Sequence, residues 1–235
     1  MKSRIGILHP GEMGISVAVS AKLAGNEVYW CEDNRSDATR HRAEKYGITA
    51  LSDIGELCQR CSIIIAVCPP QFAVETAYKV AEEGFTGIYL DANAIAPETA
   101  LIIEELFSKT DINFVDGGIV GPPAWKKDRT KLYLSGPAAD LLANILHGGN
   151  LSVKVIGEQI GQASAFKMCH SGHSKAFTAL MLSVMSAAEA YGVYDQLLEH
   201  WQEERPDVVK EAGEKIERAT PFQSRNAGDS QYARL

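Results

Sequence analysis

Residues 5–14 read IGILHPGEMG, an apolar run that stops at a histidine and a proline and resumes with two glycines three residues apart. A short apolar strand, a glycine-bearing turn and then a helical pattern form the opening of a dinucleotide-binding βαβ unit. In such a turn one glycine makes the bend, one lets the backbone approach a pyrophosphate, and one packs helix against strand. His9 stands at the first of these positions, and Pro10 stiffens the turn with φ near −65°. Gly11 and Gly14 take the second and third roles, and the helix N-terminus beyond them offers N–H groups to phosphate. The plain alternative is a strand–turn–helix that binds nothing. Position favours the cofactor loop, built from His9, Pro10, Gly11, Glu12, Met13 and Gly14.

Outward from this loop the pattern repeats. Strands are expected at 4–9, 27–32, 62–69, 87–93, 112–121, 131–136 and 152–157, and helices at 11–25, 37–47, 54–61, 72–84 and 97–110. Strands separated by helical stretches mean βαβ units and a parallel sheet. The continuous apolar run Ile63–Val67 suits a sheet covered on both faces. The expected class is therefore α/β, a Rossmann-type, doubly wound, mostly parallel sheet over residues 1–157. A small all-helical domain is expected over 158–235, led by one long helix at 162–191, about 45 Å at 1.5 Å per residue. Shorter helices are expected around 194–204 and 207–219. The polar stretch 220–235 is expected to be frayed or extended.

The second strand ends where such folds read the adenosine ribose. Glu32 lies 18 residues after Gly14, the place of a carboxylate that binds the ribose hydroxyls of NAD. Directly after it, Asn34, Arg35 and Ser36 offer a guanidinium fork and a hydroxyl to a 2′-phosphate, with Arg40 about one turn further on. The two readings conflict, because an inward Glu32 would repel that phosphate. Ser36 also reads simply as a helix N-cap. The expected cofactor is NADP, with NAD as the alternative.

Bulk properties exclude several classes. With 235 residues, 46% hydrophobic and 23% charged, the chain has ample core for a globular protein. A net charge of −7 without a long basic run argues against nucleic acid as a partner. The apolar stretch after Met1 is too short for a signal peptide, and no stretch reaches the length of a membrane span. Five cysteines without framework spacing fit a reducing cytoplasm.

Beside that nucleotide domain, residues 160–175, IGQASAFKMCHSGHSK, become informative. They resemble the β-hydroxyacid dehydrogenase family, which includes 6-phosphogluconate and 3-hydroxyisobutyrate dehydrogenases. The likeness is strongest to the phosphogluconate-dehydrogenase-like branch with a distinct helical C-terminal domain. In that family a long helix carries a catalytic lysine, which Lys167 matches. DANAIAP, residues 91–97, resembles the segment running past the nicotinamide, with Asn93 where many relatives carry serine or threonine. VDGGIVGPP, residues 115–123, resembles the segment whose Ser-Gly-Gly holds a substrate carboxylate, and Asn34–Ser36 resembles the NADP-type ribose loop. The resemblance covers roughly residues 3 to 195 and implies further cofactor contacts from Val67, Cys68, Pro69 and Asn93. There are departures. The Ser-Gly-Gly falls on Val120, Gly121 and Pro122; His170 fits the phosphogluconate branch, but Ser171 replaces an asparagine. The helical domain is also expected to be shorter than in relatives.

On a helix, Lys167, His170, Ser171 and Ser174 form one polar stripe among apolar neighbours. The stripe either faces water or meets the nicotinamide. In the second case Lys167 exchanges the hydroxyl proton as hydride moves, while His170, Ser171, Ser174 and Asn93 orient the substrate. Backbone N–H groups around Gly118, Val120 and Gly121 would hold its carboxylate. Such a lysine needs burial or a nearby cation to lower its pKa from about 10.4. The Cys58–Cys61 pair reads as packing, His170 and His173 do not read as metal ligands, and no metal is expected. The reading is an NADP-dependent oxidoreductase acting on CH–OH donors, its substrate a small hydroxy or keto acid. An imine reductase or a 6-phosphogluconate-like decarboxylating activity is the enzymatic alternative, and a catalytically silent dinucleotide sensor the non-enzymatic one. The helix at 162–191 is expected to bury against a second copy, making a homodimer.

Overall fold

The computed structural model describes residues 2–214. The chain divides into two compact units, Met1–Met168 and Cys169–Leu235. The first is built on β1 (Arg4–Leu8), α1 (Glu12–Leu23), β2 (Glu27–Cys31), α2 (Asp37–Lys45), β3 (Thr49–Leu51), α3 (Ile54–Arg60), β4 (Ile63–Ala66) and α4 (Ala73–Glu82). It continues through β5 (Gly87–Asp91), α5 (Pro97–Phe107), β6 (Ile112–Val120), β7 (Thr130–Ser135), α6 (Ala139–Leu146), β8 (Leu151–Gly157) and the first turns of α7 (Gln162–Ala190).

Eight strands form one sheet in the order β3-β2-β1-β4-β5-β6-β7-β8. All pairings are parallel except β6 with β7. β1 therefore lies between β2 and β4, and the strand order reverses there. This switch point is where open α/β sheets leave a crevice at the carboxyl ends of their strands. The expected class is the observed one. β4, IIIA, is buried along its whole length, because helices cover both faces. One apolar layer holds Ile7, Ile15, Val17, Trp30, Ile65, Leu132 and Leu142. The other holds Leu8, Leu57, Ile64, Tyr89, Ile103 and Phe114.

Some elements depart from the sequence reading. β3 and α6 were not expected as elements; β3 has three residues, too few for a periodic signal, and α6 has only two turns. The helix expected at 72–84 begins as a 3-10 turn at Pro70–Phe72 and becomes α-helical at Ala73. β1 stops at Leu8, so His9 belongs to the turn.

In the second unit α7 continues to Ala190, one residue short of expectation, and α8 spans Tyr194–Glu204. Residues 206–214 are helical. The extension expected at 220–235, and the end of the helix expected at 207–219, lie outside the described residues. No helix among the described residues is long and apolar enough to cross a membrane.

Candidate functional site

The turn after β1 is made by a non-glycine residue in the left-handed region, His9 at φ 67°. Its carbonyl accepts from Gly11 N–H at 2.8 Å, which closes the bend. A Cβ on Gly14 would stand 2.4 Å from that same carbonyl oxygen and 3.6 Å from Val67 Cβ. Gly14 is thus the glycine that lets α1 press on the turn and on the end of β4. Gly11 differs: a Cβ there would meet nothing within 4 Å, and its φ of −66° suits any residue. Its bareness serves no packing need. No side chain caps the α1 N-terminus. Arg42 of α2 braces the loop, donating to Glu12 Oε1 at 2.8 and 3.1 Å and to Pro10 O at 3.4 Å. Met13 O accepts from Ser16 Oγ at 2.8 Å.

At the end of β2, Glu32 does not stand alone. Arg40 Nη1 lies 2.6 Å from Glu32 Oε2, and Arg40 Nη2 donates to the Glu32 carbonyl at 3.1 Å. Asn34 takes φ 54°, a left-handed conformation asparagine tolerates, and its amide donates to Asp33 at 2.9 Å. Ser36 caps α2, its hydroxyl accepting from Thr39 N–H at 3.4 Å. A cavity of about 150 Å³ opens here, lined among others by His9, Cys31, Asp33, Arg35, Thr76 and Lys79. Two of its lining residues each hold a buried nitrogen, His9 Nδ1 and Arg35 Nε, with no hydrogen-bond partner among the described residues. Burial, with Arg35 and Lys79 nearby, pushes the His9 imidazole down to about 4, so it is neutral at pH 7. Thr76 and Lys79 arrive on α4, two strands further along the chain, and no local pattern points to them.

Where β4 and β5 end, Asn93 is fixed from both sides. Its N–H and its Nδ2 donate to Asp91 at 2.9 and 2.8 Å, and its Oδ1 accepts from Cys68 N–H at 2.5 Å. Val67 N–H donates to Leu8 O at 3.2 Å, and Pro69 leads the 3-10 turn. Asp91 is fully buried, and burial lifts its carboxyl to about 7 despite the bonds from Asn93.

β6 carries the seat of α7. Asp116, also fully buried, accepts from Ser164 Oγ at 2.5 Å, Ser164 N–H at 2.9 Å and Ser135 Oγ at 3.1 Å. Ser135 Oγ in turn accepts from Ala163 N–H at 3.0 Å. The orphan amides of the first turn of α7 are satisfied, with a carboxylate at the positive end of the helix dipole. Two residues along, a Cβ on Gly118 would stand 3.0 Å from Lys167 Cβ. Lys167 is half-buried there. Gly118 and Val120 lie inside β6, in register with Tyr133 and Lys131, whereas Gly121 follows the strand at φ 125°. His170, Ser171 and Ser174 belong to the second unit, where Ser174 O accepts from Thr178 Oγ1 at 2.9 Å.

Burial pushes the Cys58 and Cys61 thiols up to about 12, so at neutral pH neither is the thiolate that redox or zinc chemistry needs. Among the described residues no group of three or more His, Cys, Asp or Glu side chains has metal-binding geometry.

Comparison with known proteins agrees with this geometry. The chain is 32% identical over 200 residues to a protein of Methanothermus fervidus described as an uncharacterized 28.5 kDa protein in the 7S RNA 5′ region, covering 85% of this chain and 76% of that one. It is similar to a conserved protein of unknown function whose solved structure is described as similar to 3-hydroxyacid dehydrogenases, with 29% identity, a TM-score of 0.80 and coverage of 94% of this chain and 84% of that one. It shares its fold with an imine reductase variant from Myxococcus stipitatus in complex with NAD+, with 20% identity, a TM-score of 0.72 and coverage of 96% and 78%. Residues 4–146 match the model of the NAD binding domain of 6-phosphogluconate dehydrogenase, and the chain belongs to that family.

Proposed function

We propose that this chain is an NADP-dependent oxidoreductase of the β-hydroxyacid dehydrogenase type, with Lys167 as general acid/base. The observation that carries the reading is the seat of α7, where the Asp116 cap and the bare Gly118 hold a half-buried Lys167 beside the sheet. A pyrophosphate fits the loop at Gly11 and Gly14, where a Cβ would meet nothing at the first and the α1 amides lack a side-chain cap. Arg35, Ser36 and Asn34 would hold the 2′-phosphate, for which the partnerless Arg35 Nε is a ready donor. When bound, the nicotinamide supplies the hydride chemistry. Lys167 Nζ takes or returns the proton of the substrate oxygen and Asn93 orients the substrate, while His170, Ser171 and Ser174 continue the same stripe along the sequence. Gly121, beyond the end of β6, offers its backbone to a carboxylate. The expected substrate is a small hydroxy or keto acid.

Val120 supports a second reading. It places an apolar side chain where a carboxylate-binding serine is usual, which suits a substrate without a carboxylate, such as an imine. A homodimer is part of the proposal, since Leu180 and Leu182 on α7 are 61% and 41% exposed. Sedimentation showing only monomer at micromolar concentration would remove it. The functional test is Lys167→Met, assayed with NADPH against hydroxy acids, keto acids and cyclic imines. Turnover falling about 10²–10⁴-fold with NADPH affinity kept supports the acid/base role. A wild-type protein that binds NADPH and turns over none of these substrates would favour a sensor.

A further inference from the structure

We infer that Arg40 sets cofactor preference by withholding Glu32, and that it does so without touching the cofactor. The inference rests on the NADP reading above. Glu32 follows β2 at the position where a carboxylate accepts hydrogen bonds from ribose hydroxyls, and where it would repel a 2′-phosphate carrying close to two negative charges. In this chain one guanidinium holds both ends of that residue, the carboxylate at 2.6 Å and the main-chain carbonyl at 3.1 Å. The grip offsets the charge of Glu32 and occupies one of its two carboxylate oxygens.

A purely structural reason for the pair is weak. Its side chains are 42% and 41% exposed, and ion pairs so wet add little to stability. α2 already has its N-cap in Ser36. Arg35, by contrast, keeps a buried Nε with no partner among the described residues, on the wall of the same cavity as His9 and Lys79. The two arginines divide the work: Arg40 is spent on Glu32, and Arg35 is left for the phosphate. Asp33, also on that wall, has one carboxylate oxygen accepting from Asn34. Removing Arg40 therefore acts twice, since the released carboxylate repels a 2′-phosphate and becomes available to a ribose diol.

The experiment measures NADPH and NADH affinity by nicotinamide fluorescence for wild type, Arg40→Met, Glu32→Gln and the double variant, at low ionic strength. Arg40→Met keeps the aliphatic stem, and thermal melts check its fold. Wild type is expected to prefer NADPH. Arg40→Met is expected to weaken NADPH about tenfold or more, the scale of one like-charge contact partly screened by water, without weakening NADH. The double variant, which has no carboxylate left to withhold, is expected to recover most of the NADPH affinity. A wild type that prefers NADH overturns the NADP reading and this inference together. A wild type that prefers NADPH, with Arg40→Met keeping its preference, overturns the inference alone. So does a double variant as weak as Arg40→Met, because Arg40 would then act on the phosphate directly.

Discussion

Gly118 of β6 lies directly against Lys167 of α7: a methyl group on residue 118 would stand 3.0 Å from the lysine Cβ and 2.9 Å from the Ala163 carbonyl oxygen. The first requires the lysine side chain to give by a few tenths of an ångström; the second is closer than real Cβ atoms come, and it is with helix backbone, which cannot swing aside. Gly118→Ala is therefore expected to lift the start of α7. Overpacking of this kind destabilises by about 1–3 kcal/mol. The nucleotide loop at Gly11–Gly14 is built on other strands, so NADPH affinity should hold while kcat falls. Equal loss of both would break the proposed link between this seat and Lys167.

Asp116 tests the same seat from below. Its carboxylate takes three hydrogen bonds, two of them from Ser164. Asp116→Ala would leave the Ser164 amide and hydroxyl and the Ser135 hydroxyl without their acceptor, in a place water does not reach. A loss of about 3–5 kcal/mol is expected in urea unfolding. Asp116→Asn keeps one acceptor oxygen and should lose less.

The sequence was most legible where contacts are local. Ile63–Ala66 announces a strand buried on both faces, and Gly14 announces close packing of helix on strand. The seat of α7 was not legible, because Asp116 meets Ser135 and Ser164 across 19 and 48 residues of chain. Spacing carries no information about such partners. Arg40 sits between these cases. It is near enough to Glu32 to suggest a shared role, but only geometry separates an arginine aimed at phosphate from one holding a carboxylate. His9 was legible as a turn residue, though not as a neutral, half-buried ring. That property comes first from burial and then from the charges of Arg35 and Lys79, which reach it from other parts of the chain.

His9 should make the protein acid-sensitive. Its folded pKa of about 4 lies below the ordinary value of 6.5, so the unfolded chain binds the proton more readily between those limits. Stability is then undiminished above pH 6.5, falls as pH drops through the window, and levels off below about 4. The ring is partly exposed, so the total effect is about 1–3 kcal/mol. His9→Gly removes this titration and relieves the left-handed φ of 67°. Its unfolding free energy should lie above that of wild type at pH 5 by more than at pH 8. A constant difference across pH would show that the imidazole is not buried in its neutral form.

Asp91 imposes the opposite slope. Its carboxyl is lifted from 3.8 to about 7 by burial, with Asp116 on the neighbouring strand adding to the shift. The folded chain therefore holds the proton more tightly than the unfolded one, and stability falls as pH rises from about 4 to 7. The full span of this effect is of order 4 kcal/mol. Asp91→Asn cannot titrate at this position, so the decline should vanish in it and only the opposite slope set by His9 should remain. The substitution also replaces one of the two acceptor oxygens that hold Asn93, an expected loss of about 1–3 kcal/mol at every pH. Wild type should thus be the more stable protein at pH 5, and the gap should narrow or reverse by pH 8. Unfolding of the His9→Gly, Asp91→Asn double variant separates the two slopes. If both groups titrate as their surroundings dictate, that variant has little pH dependence left between 4 and 7. A double variant with the slope of His9→Gly would assign the whole effect to His9, and one with the slope of Asp91→Asn would assign it to Asp91.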